Sequence, residues 1–266
     1  MHKQKNIKLI ILTLTIILIC TSFIMAEDFD RNPRFNINAV TDDGLIGQAG
    51  ILYPLRDTKN SILYTDLRSR LDSDQEISEW NFGLGYRNKF KENLLGGLYI
   101  FKDRRKEFDH YWDMWTLGGE ILSNNFDLRA NAYLADNERI DNPLGDSVIE
   151  AGGRLLYQKS FYSSLDGFDF ELGKRWTETD NLFNKVGVYA RFYNFFAEDV
   201  EDVRGRELRI NKEFGSKEKT NYQLGLMWED SNQSQSSVEA TFAVSIPFGS
   251  KKKQIQKDEK HDYDRL

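Results

Sequence analysis

The stretch Asn125–Asp136, NFDLRANAYLAD, changes character at every step. Its even positions are Phe126, Leu128, Ala130, Ala132 and Leu134, and its odd positions include Asp127, Arg129, Asn131 and Tyr133. Successive side chains of a strand point to opposite faces, so a period of two held over about ten residues reads as a strand with one apolar and one charged face. The period returns in Val238–Phe248, where Val238, Ala240, Phe242, Val244, Ile246 and Phe248 oppose Glu239, Thr241, Ala243, Ser245 and Pro247. Trp80, Phe82, Leu84 and Tyr86 likewise oppose Asn81, Gly83, Gly85 and Arg87, and Tyr222, Leu224, Leu226 and Trp228 oppose Gln223, Gly225 and Glu229.

Two architectures alternate this way. A soluble antiparallel sandwich buries its apolar face, whereas a transmembrane barrel turns that face to lipid and lines a wet interior with the other. Charges and glycines recur on the polar face in strand after strand, which a water-filled lumen permits and a packed core does not. Aromatic residues gather near strand ends at Tyr53, Trp80, Phe90, Tyr111, Trp112, Trp176 and Trp228, as girdles at bilayer interfaces do. The predicted fold class is therefore all-β, an antiparallel transmembrane β-barrel of about 12 strands. The runs fall at roughly 35–40, 45–55, 61–71, 77–90, 93–103, 112–123, 125–136, 167–176, 185–196, 204–214, 219–230 and 237–248. An even count closes the sheet without an exposed edge.

Barrels of this kind have short periplasmic turns and longer outer loops. Connections at Lys91–Glu92, Asn124, Thr177–Asn184 and Gly215–Glu218 are mostly short, and those at Arg104–Tyr111, Asn137–Asp166, Ala197–Val203 and Ser231–Ser236 mostly longer. Both chain ends then fall on the periplasmic side. Asn137–Asp166 has room for its own hairpin, with Val148–Gln158 as a projecting ribbon.

The N-terminus carries Lys3, Lys5 and Lys8, an uncharged run Leu9–Ala26, and then Glu27 and Asp28, the layout of a secretory signal peptide cut after Ala26. Ile24 is bulky for the third position before the cut, which leaves an uncleaved anchor as an alternative, and Cys20 raises lipidation, disfavoured by Ile19 just before it. Without residues 1–26 the chain has no cysteine and carries 33 Lys+Arg against 42 Asp+Glu, a charge of −9 that disfavours nucleic acid as a partner. Only 40% of the sequence is hydrophobic. A barrel tolerates this because it needs apolar residues at only every second position.

The fragments NFGLGYR at Asn81–Arg87, LLGGLYIFKD at Leu94–Asp103, LGGE at Leu117–Glu120 and LRANAYL at Leu128–Leu134 carry a family resemblance. With DGFDFELGKRW at Asp166–Trp176, VGVYARFYNF at Val186–Phe195, RGRELRI at Arg204–Ile210 and SIPFG at Ser245–Gly249, their ordered set resembles the barrel domain of the inverse autotransporters, the intimin and invasin family. The resemblance implies an outer-membrane translocator or anchor, residues 35–249, through whose pore a linker passes to a C-terminal extracellular adhesin. In this sequence Ser250–Leu266 follow as a polar, lysine-rich tail without an immunoglobulin-like array or lectin-like tip, and the short periplasmic lead 27–34 holds no LysM-type module. A separately encoded passenger is one expectation; a structural barrel or narrow pore with no translocation role is the alternative. The tail is either a disordered periplasmic segment or a vestige of the threading linker.

The residues expected to face the lumen are Asp66, Arg68, Arg70, Arg87, Glu120, Asp127, Arg129, Asp169, Glu171, Arg175, Arg191, Arg209 and Glu229, cross-paired into a network that stiffens a narrow passage. Phe242 and Phe248 end an outward row that resembles the aromatic signal read by the barrel-assembly machinery; outer-membrane lipid is the other expected partner. No enzymatic role, cofactor or metal is expected. Beyond the leader the histidines are His110, in a predicted loop, and His261, in the tail, and Gly83–Gly85 lies within a strand rather than before a helix, so it is no phosphate loop.

Overall fold

The computed structural model describes residues 32–249, apart from 42–44, 73–77, 108–109, 137–138, 142–146, 152–153, 159, 177–183, 199 and 216–219; for residues 45, 71–72, 147–151 and 154–158 it describes the backbone alone. The expected leader 1–26, most of the lead 27–34 and the tail 250–266 lie outside the described residues.

The first seven strands are β1 Arg34–Thr41, β2 Leu45–Asp57, β3 Ser61–Asp72, β4 Ser78–Lys91, β5 Leu94–Glu107, β6 His110–Ser123 and β7 Phe126–Ala135. Four short strands follow: β8 Arg139–Asp141, β9 Ser147–Ala151, β10 Arg154–Gln158 and β11 Phe161–Ser163. The last five are β12 Asp166–Trp176, β13 Val186–Phe196, β14 Val203–Gly215, β15 Asn221–Ser231 and β16 Ser237–Pro247. Twelve of them close a barrel in the order β1-β16-β15-β14-β13-β12-β7-β6-β5-β4-β3-β2. The seam is an antiparallel pair of β1 with β16, running from Arg34 opposite Pro247 to Val40 opposite Thr241. Every strand therefore has two hydrogen-bonded neighbours, which is what a sheet in hydrocarbon requires.

The side-chain distribution is inside out. Leu84, Leu98, Leu117, Phe170, Phe192, Leu208, Leu226 and Phe242 are exposed on the outer surface, whereas Asp66, Arg87, Glu120, Asp127, Asp169, Glu171 and Glu207 are buried. A sandwich in water would reverse these two sets. Trp80, Tyr111 and Trp115 stand exposed at one end of the outer surface, and Phe90, Phe126, Phe214 and Tyr222 at the other. Trp112 departs from the expected girdle: it shares the inward face of Thr116 and Glu120, and its ring packs on His110 at 4.7 Å.

β1 begins and β16 finishes at the same end of the barrel, the turn end; the excursion between β7 and β12 lies at the opposite end, the hairpin end. That excursion holds the β9–β10 hairpin, register Ser147 to Gln158 through Ala151 to Arg154, and a clasp of β8 with β11. The ribbon falls at the predicted position; the clasp beneath it, too short for a periodic signal, was not expected. The outer loop expected at Arg104–Tyr111 is largely strand, since β5 runs to Glu107 and pairs it with His110 of β6. Charged residues at 104–107 gave no apolar alternation to mark the extension. The connection between β12 and β13, counted among the short ones, is the widest gap between barrel strands at the turn end.

Candidate functional site: a lumen with two unlike walls

The lumen is the site that the fold creates, and one cross-strand row organises half of it. Arg87 of β4 stands opposite Gly97 of β5, Gly97 opposite Glu120 of β6, and Glu120 opposite Arg129 of β7. The row continues through Glu171 of β12, Arg191 of β13, Glu207 of β14 and Glu229 of β15. From Arg87 to Glu207 the charges alternate in sign, and the single uncharged member is a glycine. That glycine matters: a Cβ on Gly97 would lie 2.7 Å from Glu120 Oε1 and 3.0 Å from Arg87 Cγ. Its missing side chain lets Arg87 reach across β5 to Glu120.

The side chains join accordingly. Arg87 Nε donates to Glu120 at 2.5 Å, and Arg129 approaches Glu120 at 3.4 Å and Glu171 at 2.7 Å. Arg209 bridges Glu171 at 2.6 Å and Glu207 at 3.0 Å; Arg191 bridges Glu207 at 3.5 Å and Asp169 at 2.6 Å. Asp169 also accepts from Asn131 at 2.9 Å and from the Tyr133 hydroxyl at 2.5 Å, and Tyr99 donates to Asn131 at 2.7 Å. The result is one connected network from β4 to β14. Opposite charges on facing strand positions contribute about 0.2–1 kcal/mol per pair, and a buried partner left alone costs about 3–5 kcal/mol.

Aromatic rings fill the rest of this wall, each lying on a glycine of the adjacent strand. A Cβ on Gly118 would fall 1.9 Å from the Tyr99 ring, one on Gly85 2.2 Å from Tyr64, and one on Gly205 2.2 Å from Tyr193. The register explains it: Tyr64, Gly85, Tyr99 and Gly118 stand side by side on β3 to β6. The glycines that read as signs of an open, watery interior are instead the floor on which rings lie.

The other expected lumen residues sit around this network. Arg68 pairs with Asp66 at 2.5 Å and covers the Phe101 ring at 4.8 Å. Arg70 shares the inward face of Asp66 and Arg68 between Gln48 and Glu79. Asp127 accepts from Tyr189 at 3.3 Å, Arg175 pairs with Glu213 at 3.1 Å, and Glu229 accepts from Tyr193 at 2.5 Å. Sequence reasoning missed the tyrosines, Glu207 and Asp103, which accepts from Thr116 at 2.6 Å. Their inward parity was available; what hid Tyr64, Tyr99, Tyr189 and Tyr193 was the habit of assigning aromatic residues to the lipid side. Of the two assembly-signal residues, Phe242 is exposed on the outer face, and Phe248 lies one residue beyond β16 with its N–H donating to Pro33 O at 2.9 Å.

The opposite wall, β15, β16, β1 and β2, is made differently. Its inward positions include Gln223, Gly225, Thr241, Ala243, Ser245, Asn36, Asn38 and Gln48, all uncharged and half-buried, beside the charged Arg34, Glu229 and Glu239 nearer the strand ends. They bond mainly to one another: Asn38 to Gln48 at 3.1 Å, and Ser245 to Asn36 at 2.5 Å, with Arg34 Nε donating to Ser245 Oγ at 2.7 Å. The charged wall buries Asp66, Arg87, Glu120, Asp127, Asp169, Glu171 and Glu207, whereas on this wall the small polar side chains are half-buried and Leu52, Pro54 and Glu239 are buried. Among the described residues no group of three or more His, Cys, Asp or Glu could hold a metal ion.

Residues 31–144 match the family described as inverse autotransporter, beta-domain. No curated protein matches the chain in sequence. Among solved structures, one from a study of the in-meso crystallization of membrane proteins has a TM-score of 0.64 at 13% identity, covering 82% of this chain and 84% of that one. The KdgM porin scores 0.47 at 7% identity over 81% of this chain and 99% of its own, and OprD from Pseudomonas aeruginosa 0.40 at 11% over 82% and 65%. Of the three, the first is similar enough to share the fold.

Proposed function

We propose that this outer-membrane β-barrel, which over residues 31–144 belongs to the inverse autotransporter β-domain family, holds and passes an extended polypeptide segment along the uncharged wall of its lumen. The observation that carries this reading is the division of the lumen. An extended chain offers N–H and C=O groups along its length, and Asn36, Asn38, Gln48, Gln223, Thr241 and Ser245 supply donors and acceptors that exchange partners without binding by charge. The buttressed wall opposite keeps the passage from collapsing when that segment is absent. The same reading makes the barrel non-catalytic: Glu120, Glu171, Glu207 and Asp169 are each engaged by arginine, and His110 packs against Trp112.

In this reading the turn end, where β1 begins and β16 finishes, faces the periplasm, the β9–β10 hairpin projects outside, and the barrel-assembly machinery recognises the row ending in Phe242 and Phe248. Residues 250–266 are the first segment available to enter the lumen from the turn end. An epitope fused after Leu266 and probed with antibody on intact cells tests this. Labelling without permeabilisation is the expected result; labelling only after the outer membrane is opened would overturn threading and favour a structural barrel.

A further inference from the structure

The lipid-facing surface carries an exception to its apolar rule. On β5 the outward row runs Leu98, Ile100, Lys102 and Arg104, so two cations follow two aliphatic residues toward the hairpin end. Lys102 stands between Phe82 of β4 and Trp115 of β6, and Arg104 between Trp80 and Asp113. Lys102 Nζ lies 5.2 Å from the Trp115 ring centroid, and the Arg104 guanidinium 4.6 Å from that of Tyr111. Both cations share one carboxylate, Asp113, each at 3.6 Å, and their side chains remain 35% and 58% exposed. The cluster therefore keeps one positive charge in excess, held loosely, at the level where the aromatic girdle marks the headgroup layer.

A second basic position at this end differs in the decisive respect. Arg206 of β14 also stands beside an aromatic residue, Phe192, and covers the Trp228 ring at 5.4 Å, but it is paired with its own carboxylate, Asp230, at 3.0 Å. That site is neutral. The two share geometry and differ in net charge.

We propose that Lys102 and Arg104, framed by Trp80, Tyr111 and Trp115, form a binding site for the phosphate of a phosphorylated glycolipid in the leaflet at the hairpin end. The rings pack against the saccharide and the upper acyl chains, and the two cations take the phosphate oxygens, with the guanidinium offering a planar pair of donors. Asp113 neutralises only one of the two cations, and a phosphate at the headgroup level supplies the missing negative charge. The proposal relies on the orientation given above only for which leaflet supplies the lipid; binding itself is independent of translocation.

The test uses the full mature chain folded in phosphatidylcholine vesicles doped with diphosphoryl lipid A, dephosphorylated lipid A, or inorganic phosphate in the buffer. The reading is the lipid concentration that half-maximally raises the temperature at which the folded, fast-migrating gel band is lost. Diphosphoryl lipid A is expected to raise it, and neither dephosphorylated lipid A nor inorganic phosphate to do so. The Lys102→Gln/Arg104→Gln variant should require roughly 30-fold more lipid A, the factor given by about 1 kcal/mol for each cation near an anionic surface. Arg206→Gln should need no more than the unaltered protein, and Lys102→Arg, which keeps the charge, should retain the response. An equal response by the double variant, or by dephosphorylated lipid A, would overturn the site; a response to inorganic phosphate alone would replace the lipid by a soluble anion and overturn it equally.

Discussion

The two walls of the lumen are built from the same alternating strands and do opposite things. From β3 to β14 the inward positions are mostly charged residues, aromatic residues and the glycines beneath their rings, with buried carboxylates tied into a network in which Arg129 and Arg209 each bridge two of them. From β15 through the seam to β2 they are mostly small, uncharged and half-buried, with bonds such as Asn38 to Gln48 that link near neighbours. The difference teaches that a transmembrane barrel can take its stiffness from one arc of its wall and leave the other arc free for traffic. The match to the inverse autotransporter β-domain over residues 31–144 covers most of the stiff arc and half of the free one.

The sharpest way to break the comparison is to remove a carboxylate from the stiff wall. Glu120→Ala strips a carboxylate from both Arg87 and Arg129, whose side chains are 9% and 30% exposed. Removing one member of a buried ion pair costs about 3–5 kcal/mol, and the folded band should be lost at a markedly lower temperature on heating. If Glu120→Ala changed stability no more than Gln48→Ala, the two walls would be mechanically alike. Gly118→Val comes next: any Cβ collides with the Tyr99 ring at 1.9 Å and with Asn131 Oδ1 at 2.5 Å. Overpacking of this kind costs about 1–3 kcal/mol, and adding Tyr99→Ala should recover part of it, which separates a ring displaced from its floor from a general intolerance of the strand.

On the free wall the expected effects are smaller. Gln48→Ala removes one hydrogen bond to Asn38 in a half-buried setting and should cost about 0.5–1.5 kcal/mol. At the strand end, Phe248→Asp places a charge near the interface, where the penalty on stability is about 0–1 kcal/mol. Its expected consequence is kinetic: less assembled protein in the outer-membrane fraction at nearly unchanged thermal stability of what does assemble. Unchanged yield would argue against Phe248 as an assembly signal.

Period two was enough to read the strands, because a one-residue slip would send Phe126, Leu128 and Leu134 inward and Asp127 and Arg129 into lipid. That is why the twelve barrel strands agree with their predicted positions to within a few residues. The ends were less legible: Arg104–Glu107 looks like loop because its charges carry no alternation, yet β6 pairs with it to His110. In the site, the charged inward residues were legible one strand at a time. Which of them touch was not, since the stagger of β4, β5 and β6 that aligns Arg87, Gly97 and Glu120 depends on pairing between strands. The role of Gly97 is visible only once that row is known.

The central claim, that open lumen runs along one wall and not the other, is tested most directly by thiol labelling. In a chain that starts at Glu27 and so lacks Cys20, the one cysteine of the sequence, single cysteines introduced at Thr241 and Gln223 on the free wall and at Asn131 and Thr116 on the stiff wall can be compared in the folded, detergent-solubilised barrel. With a bulky, charged maleimide the account predicts fast labelling at 241 and 223 and slow labelling at 131 and 116 until the barrel is heat-denatured. Equal rates at all four positions in the folded state would contradict it.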